Sequence, residues 1–161
     1  MNQVFLSLGS NVGNRSANLQ KAINLLDPGK HSEMRESFIY ETEPWGPREQ
    51  RNFYNQVIEF STYWDPLGLL EEIHRIETVC GRKLLREQNA PRPIDIDILF
   101  YNDRILTTDN LKIPHPLIHM RRFVLVPMMD LAPGFRHPVL GKTMTQLLAV
   151  CEDTMKVVRI S

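Results

Sequence analysis

Two aspartates separated by one residue are the strongest chemical signal in the chain. Asp95 and Asp97 occur in the segment 92–100, where they alternate with isoleucines. Side chains alternate across a β-strand, so both carboxylates share one face, with their Cα atoms about 6.7 Å apart. Carboxylates that close repel each other unless cations intervene. Oxygen donors without nearby thiolates favour Mg²⁺, which proteins usually hold together with substrate phosphates.

Basic residues accompany this acidic pair in the sequence. Arg92 immediately precedes the predicted strand, and Arg82, Lys83 and Arg86 lie in the loop before it. A phosphate chain with bound magnesium needs a cationic clamp as well as metal ligands. An amphipathic strand with solvated acids is the alternative for the Asp-x-Asp pattern alone, and each basic residue alone is typical of a solvated surface. Their combination favours a nucleotide phosphate site.

Two further segments carry candidate ligand-binding groups. His115 stands between two prolines, and Arg121 follows six residues later, so both side chains could reach the same phosphates. A flat heterocycle needs aromatic faces and a few fixed hydrogen-bonding groups, which Trp45, Phe53 and Asn55 supply. The alternatives are a backbone contact of His115 within a proline turn and ordinary core filling by Phe53.

The glycine-containing segment 9–15 does not match a known phosphate loop. It follows a predicted strand and precedes a predicted helix, but it lacks the Gly-Lys-Ser/Thr ending of a P-loop. The protein-kinase motif set is also absent. We therefore interpret its glycines as turn positions, and a nucleotide site in this chain is built differently from both classes.

Composition limits the class of protein and its partners. The 161 residues fit one domain of ordinary size, which we expect to span 1–161. The formal net charge is zero, whereas proteins that bind a nucleic-acid backbone usually have a basic excess, so we expect no nucleic-acid partner. Two cysteines do not form a disulfide framework. Without a signal peptide or an apolar run of about 20 residues, we expect a cytoplasmic protein with no membrane association, and we expect a monomer.

Hydrophobic periodicity predicts the elements that position these residues. Strands are predicted at 3–8, 37–41, 55–63 and 94–101, with helices at 15–26 and 66–80 between them. The Asp-Pro pair at 65–66 is typical of a helix start, and Gly81 of a helix end.

The resulting β-α-β-β-α-β order predicts an α+β, ferredoxin-like sandwich, with helices packed on one face of an antiparallel sheet. A C-terminal extension follows, with a hairpin turn at 102–103 into 104–106, helices at 123–131 and 143–151, and a last strand at 156–160. Pro127 should kink the first of these helices or lie in its first turn. The segments 42–52 and 82–93 are long loops, which in compact domains tend to be functional lids or disordered.

Several motifs occur in an order that resembles one known family over nearly the whole chain. They are the run at 92–98, the opening 8–11, the loop 42–47, and the segments 53–55, 75–77, 81–82, 114–116 and 121–123. Together they resemble the 6-hydroxymethyl-7,8-dihydropterin pyrophosphokinases of folate synthesis. The resemblance implies a ferredoxin-like fold and transfer of pyrophosphate from ATP to the hydroxymethyl group of 6-hydroxymethyl-7,8-dihydropterin, with release of AMP.

The resemblance also implies residue roles. Asp95 and Asp97 would be metal ligands for two Mg²⁺ ions that bridge the ATP phosphates, and with Arg82 and Arg92 they would form the catalytic set. ATP would be contacted by Leu70, His74, Glu77, Arg82, Arg92, Ile98, His115 and Arg121, with Leu70 and Ile98 lining the adenine pocket. The pterin would be contacted by Thr42, Pro44, Trp45, Phe53, Asn55 and Phe123, with the two phenylalanines on either side of the ring.

The chain departs from the family pattern at four positions. The family often has glutamine where this chain has His74, so an ATP contact at this position is open. Leu84 stands where a second loop arginine is common, and Arg86 is a candidate replacement. Asn89 replaces a common tryptophan, and Pro116 replaces a common tyrosine. These changes bear on how the second loop closes, and no residue is nominated as a general base.

Two other functions use the same fold. An RNA-binding module would present stacking aromatics on its sheet, but the chain lacks the aromatic-rich RNP1 motif and has no net positive charge. A non-catalytic small-molecule regulatory domain has no need of clustered acids and arginines. Both are retained as alternatives to the enzyme.

Overall fold

The computed structural model describes residues 1–27, 33–45, 49–82 and 91–161. The strands are β1 (Asn2–Ser10), β2 (Arg35–Glu36), β3 (Tyr40–Thr42), β4 (Phe53–Thr62), β5 (Asp95–Tyr101), β6 (Leu106–Thr107), β7 (Lys112–Ile113) and β8 (Val157–Arg159). The helices are α1 (Arg15–Leu26), α2 (Pro66–Val79), α3 (Arg122–Leu131) and α4 (Met144–Val150), with a short 3-10 helix at Ile118–Met120. None of the helices in these ranges is long and apolar enough to cross a membrane.

The main sheet confirms the predicted ferredoxin-like topology. Its strands lie in the order β5-β1-β4-β3-β8, all neighbours are antiparallel, and β2 also pairs with β4. The four strands of the β-α-β-β-α-β unit thus place the first strand and the third in the centre and the acid-bearing fourth strand beside the first. The C-terminal strand β8 extends the sheet by pairing with β3.

Both faces of this sheet are covered, so the prediction of helices on one face was incomplete. Val4, Leu6 and Leu8 of β1 are buried with residues of α1 and α2. Phe5 of the same strand points the opposite way and is buried with residues of α3 and α4. Successive side chains of β1 point to opposite faces of the sheet, so they contribute to two separate cores. Every residue of β1 from Val4 onwards is buried, which shows that both faces are covered.

Three local features differ from the predicted elements. The expected strand at 37–41 is divided into β2 and β3, and between them the buried hydroxyl of Ser37 accepts a hydrogen bond from the backbone N–H of Val57 (2.9 Å). The strand after the turn at 102–103 pairs with β7, not back onto β5. Pro127 lies in the interior of α3, beyond the first turn.

The two helices that flank the central strands begin where their capping residues require. Asn14 accepts a hydrogen bond from the N–H of Ala17 (3.0 Å) at the start of α1. Asp65 accepts one from Gly68 (2.9 Å) ahead of Pro66, which occupies the first position of α2. These caps satisfy otherwise unpaired N–H groups and fix where each connecting loop ends.

Candidate active site

A cleft of about 360 Å³ opens at the end of the sheet where β1 finishes and β5 begins. Its walls come from the central strands, from the segments before β4 and β5, and from the start of α3. The lining residues are Ser7, Gly9, Thr42, Glu43, Trp45, Gln50, Phe53, Asn55, Arg82, Arg92, Asp95, Asp97, His115, Arg121 and Phe123. Most of the site residues predicted from the sequence therefore converge on one cavity.

The floor of the cleft follows from strand register. Asp95 and Asp97 of β5 lie opposite Gly9 and Ser7 of β1, respectively. Because side chains alternate, all four positions face the same side of the sheet, away from the neighbouring buried isoleucines of β5. The predicted shared face of the two aspartates is present in the structure, and both side chains border the cavity.

Asp95 is paired with two arginines. Its Oδ1 accepts a hydrogen bond from Nη1 of Arg82 (2.9 Å), and its Oδ2 forms an ion pair with Nη1 of Arg92 (3.0 Å). Arg82 also binds the buried carboxylate of Glu77 on α2. Glu77 in turn accepts a hydrogen bond from the backbone N–H of Ile96 (3.1 Å). The cluster thus joins α2 to the acid-bearing strand and holds both guanidinium groups at the cleft.

Burial leaves this cluster with carboxylates that are costly to ionise. It raises the pKa of Asp97, and repulsion from Asp95 adds to the effect. Burial also raises the pKa of Glu77 to about 7, although the Arg82 charge opposes the shift. Anionic groups that lack compensating positive charge attract cations, and perturbed carboxylates in a cleft mark a candidate functional site.

The donor set suits a metal that is shared with a ligand. Within the described ranges, no three or more His, Cys, Asp or Glu side chains come together as a complete ligand group. Asp95 and Asp97 offer oxygen atoms only, and two carboxylates leave the remaining positions of a six-coordinate ion for phosphate oxygens and water. This fits Mg²⁺ in a nucleotide site and does not fit a closed structural zinc site.

His115 faces the cleft as a neutral hydrogen-bond donor. Its Nδ1 accepts a hydrogen bond from the backbone N–H of Leu117 (3.1 Å), so the proton of the neutral ring resides on Nε2. Burial lowers the pKa of His115 to about 4, and the nearby charge of Arg121 contributes to the shift. At neutral pH the side chain can donate one hydrogen bond from Nε2 without carrying charge.

Aromatic side chains form another part of the cleft wall. The rings of Trp45 and Phe123 meet edge to face, with centroids 6.4 Å apart. The Arg121 guanidinium carbon lies 4.7 Å from the centre of the Trp45 ring and 5.5 Å from that of Phe123. Its Nε is buried without a hydrogen-bond partner among the described residues. Arg121 therefore connects the aromatic wall with the acidic strand, since it also interacts electrostatically with Asp97.

A buried amide defines the hydrogen-bonding end of the aromatic side. The Nδ2 of Asn55 donates to Oγ1 of Thr42 (2.6 Å), and both residues are buried. Phe53, two positions along β4, lines the same cavity. The side-chain oxygen of Asn55, which lies against Gly9, remains fixed in orientation by the Thr42 contact.

Five residues predicted as ligand contacts lie outside the cavity lining. Ile98 is buried in the core beneath α1 and α2, and Leu70 packs against that core. His74 is exposed on α2, and Glu77 contacts Arg82 from beneath. Pro44 lies between two lining residues. Their contacts with a ligand remain predictions, and Arg86, Lys83, Leu84 and Asn89 fall outside the described residues.

Sequence reasoning missed four lining residues, namely Ser7, Gly9, Glu43 and Gln50. The first two have a usable signal, because strand alternation places them on one face of the strand beside the acids. No comparable pattern marks Glu43 or Gln50, whose positions depend on how the loop before β4 folds.

The chain matches a family model and curated proteins of that family. Residues 5–133 match 7,8-dihydro-6-hydroxymethylpterin-pyrophosphokinase (HPPK). The chain is 39% identical over 156 residues to the 2-amino-4-hydroxy-6-hydroxymethyldihydropteridine pyrophosphokinase of Aquifex aeolicus, an alignment covering 97% of this chain and 95% of that protein. It is 42% identical over 146 residues to the folic acid synthesis protein FOL1 of Dictyostelium discoideum, which covers 91% of this chain but 22% of that protein.

Solved structures support the fold assignment. The HPPK-DHPS of Plasmodium falciparum in complex with pteroate superposes with a TM-score of 0.73 at 20% sequence identity. That match covers 92% of this chain and 42% of the other. The chain therefore spans less than half of this structure and about a fifth of FOL1, but nearly the full length of the Aquifex protein.

Proposed function

Because the chain belongs to the 7,8-dihydro-6-hydroxymethylpterin-pyrophosphokinase family, we propose that it transfers pyrophosphate from ATP to 6-hydroxymethyl-7,8-dihydropterin. The products are AMP and the pterin diphosphate, and the reaction belongs to folate biosynthesis. The observation that carries the proposal is that one cleft brings together paired aspartates and arginines, aromatic side chains and a buried amide. A triphosphate requires the charged surface, and a flat heterocycle requires the aromatic surface with its hydrogen-bonding amide.

The phosphate side comprises Asp95, Asp97, Arg82, Arg92 and His115. In this proposal Asp95 and Asp97 would hold two Mg²⁺ ions, which would supply neutralisation of the phosphate charge. Arg82 and Arg92 present their guanidinium groups beside the acids, where they stabilise charge that develops on the transferring phosphates. The Nε2–H of His115 donates a hydrogen bond to a phosphate oxygen without the desolvation cost of an added charge.

The pterin side comprises Phe53, Phe123, Trp45, Asn55 and Thr42. The two phenylalanines contact the faces of the ring, and the fixed amide of Asn55 binds its polar edge. Held in this way, the hydroxymethyl oxygen is directed at the β-phosphorus of ATP. The new bond forms between these two atoms, the bond from that phosphorus to the α-phosphate oxygen breaks, AMP leaves, and the proton of the hydroxyl group is released to solvent. The enzyme contributes mainly positioning and charge stabilisation, which can supply much of the rate enhancement.

The remaining predicted ATP contacts complete this proposal. Leu70 and Ile98 are assigned to the adenine side, and His74 and Arg121 to the nucleotide or its phosphates. Glu77 supports the site through Arg82 in the structure, so we propose that its contribution to ATP binding passes through that arginine.

Product analysis tests the function directly. The protein, ATP labelled at the γ-phosphate, Mg²⁺ and 6-hydroxymethyl-7,8-dihydropterin are incubated and the products separated chromatographically. We expect unlabelled AMP and a labelled pterin diphosphate in equal amounts. An Aquifex-type enzyme serves as the positive control. Pyrophosphate transfer would be contradicted if this protein formed ADP, or if it gave no product under conditions in which the control enzyme is active.

An RNA-binding or non-catalytic regulatory module is not favoured. Neither alternative accounts for the ion-paired aspartate and two arginines within one cleft. We further propose a single domain, a monomeric state and a cytoplasmic location. Light scattering of the purified protein tests the monomeric state.

A further inference from the structure

Asn11 is a buried residue of the β1–α1 connection whose amide contacts two separate loops. It is 2% exposed and lies outside the cleft lining. Its Oδ1 accepts a hydrogen bond from the backbone N–H of Arg92 (2.8 Å). Its Nδ2 donates to Oε1 of Gln50 (2.6 Å) and to the backbone carbonyl of Arg51 (3.1 Å).

The backbone partners fix the orientation of this amide. The N–H of Arg92 can only donate, and the carbonyl of Arg51 can only accept, so the oxygen and nitrogen of Asn11 cannot exchange places without losing both bonds. A third link is the backbone N–H of Asn11, which donates to the carbonyl of Arg92 (3.1 Å). The side chain is thus a specific bridge and not a general space filler.

The two bridged loops serve opposite sides of the cleft. Arg92 carries the guanidinium group that pairs with Asp95 on the phosphate side. Gln50 lines the cleft and belongs to the segment that leads from Trp45 to Phe53 on the aromatic side. One amide therefore sets the distance between the backbone that presents a phosphate-binding arginine and the backbone that leads to the heterocycle slot.

The surrounding contacts explain why the fold does not depend on this bridge alone. Arg51 donates to the carbonyl of Gly13 (2.8 Å), and Arg15 donates to the carbonyl of Asn52 (2.9 Å). These bonds hold the loop before β4 against the same connection. Loss of the Asn11 side chain should therefore loosen the relative placement of the loops while the sheet and helices persist.

We propose that Asn11 is a positioning residue that aligns the phosphate-binding and pterin-binding loops with each other for the transfer step. This inference rests on the proposed function. Small displacements of reacting groups strongly affect rate, because a misplacement of about 1 Å can cost about 100-fold. Asn11 contacts neither substrate in this proposal, so its effect must pass through Arg92 and the segment at 50–51.

Two substitutions separate the two halves of the bridge. Asn11→Ala removes both, and we expect turnover to fall about 100-fold, with higher KM values for ATP and pterin. Asn11→Asp keeps the oxygen that accepts from the N–H of Arg92. It replaces the donating Nδ2 with a second oxygen, so the hydrogen bond to the carbonyl of Arg51 is lost because both atoms are acceptors. We expect this variant to raise the KM for pterin about tenfold and to leave the KM for ATP near the wild-type value.

Asn14→Ala is the matched control. Asn14 is in the same connection and has the same side chain, but among the described residues its side chain accepts a hydrogen bond only from Ala17, at the start of α1. We expect a lower melting temperature with wild-type kinetic constants. A substitution that only lowers stability should therefore behave like Asn14→Ala, with unchanged kinetic constants. It should not change the KM values as expected for the Asn11 variants.

Steady-state kinetics with each substrate varied, together with thermal unfolding, decide the outcome. Wild-type constants in Asn11→Ala, or equal increases of both KM values in Asn11→Asp, would overturn the inference. Should Asn11→Ala fail to fold, the split between the two KM values in Asn11→Asp still decides it. Failure of the proposed function is recognised separately, because the wild-type protein would then form no AMP with the pterin.

Discussion

Gly9 and Asn55 are register partners in the central strand pair, and a β-carbon built on Gly9 would lie 2.8 Å from Oδ1 of Asn55. That side chain cannot simply rotate away, because its Nδ2 is bound to Thr42. The absence of a side chain at Gly9 therefore allows the buried amide to reach the cleft in a fixed orientation.

Gly9→Ala should weaken pterin binding. The added methyl group must displace the Asn55 amide, and a lost or distorted hydrogen bond to a ligand costs about 1 kcal/mol, equivalent to roughly a five- to tenfold weaker affinity. Isothermal titration with the pterin in the presence of a non-hydrolysable ATP analogue measures the effect. Gly134→Ala is the control, since an added β-carbon there meets nothing within 4 Å. Equal affinities in the wild type and Gly9→Ala would contradict the steric argument.

Asp97→Asn should separate activity from stability. The carboxylate is costly to ionise because burial, with repulsion from Asp95, raises its pKa. A neutral amide of the same shape removes that repulsion, so we expect a higher melting temperature. The amide is a poor magnesium ligand, so AMP formation should fall by at least about 100-fold at any Mg²⁺ concentration.

Asp103→Asn is the control for this substitution, because Asp103 is exposed in the turn after β5. Its activity and melting temperature should match those of the wild type. Full magnesium-dependent activity in Asp97→Asn would remove that residue from the proposed metal site, whatever its effect on stability.

The acidic strand was predictable because its evidence is local. Alternating isoleucines and aspartates define both the buried and the cleft-facing side of β5, and β1 and α1 have equally clear periodicity. The second core was harder to predict, since Phe5 and Val4 are both apolar and a continuous apolar run does not reveal how many faces a sheet buries. That α3 and α4 pack on the second face of the sheet depends on tertiary contacts, which the periodicity of β1 does not indicate.

The site residues divide in the same way. Asp95, Asp97 and Arg92 are close in sequence, so their proximity in space is expected from a strand and the residue that leads into it. The role of Asn11 was not predictable, because its partners lie about 40 and 80 residues away and hydrogen bonds to backbone leave no trace in their side-chain types. The glycines of the segment 9–15 were interpreted as turn positions, and the contacts of this segment with two loops depend on the tertiary structure.

Glu77 should make stability depend on pH. Burial raises its pKa from the ordinary value of 4.5 to about 7. Between these values the folded protein holds a proton that the unfolded chain has released, so this group lowers the free energy of unfolding as pH rises from about 5 to 7. Glu77→Gln removes the titration. We expect the stability difference, variant minus wild type, to increase by about 2 kcal/mol over this range.

Denaturant unfolding at pH 5, 6 and 7 measures this difference. A subtraction is needed because His115, whose pKa is lowered to about 4, contributes a slope of opposite sign in the wild type and the variant alike. Glu71→Gln, an exposed change on the same helix, should give a constant difference. A constant difference for Glu77→Gln as well would show that its carboxyl group titrates as in the unfolded chain.

Trp45 should report pterin binding by fluorescence. Its ring lies edge to face with Phe123 and beneath the Arg121 guanidinium, so a ligand that enters the slot changes its surroundings. The chain has two tryptophans, and Trp64 packs against the core beneath α1 and α2, away from the cleft lining. In Trp64→Phe we expect saturable quenching of the remaining emission by the pterin, after correction for ligand absorption. In Trp45→Phe the corrected emission should stay constant. Equal quenching in both variants would place the pterin elsewhere, because only one of the two indoles borders the proposed site.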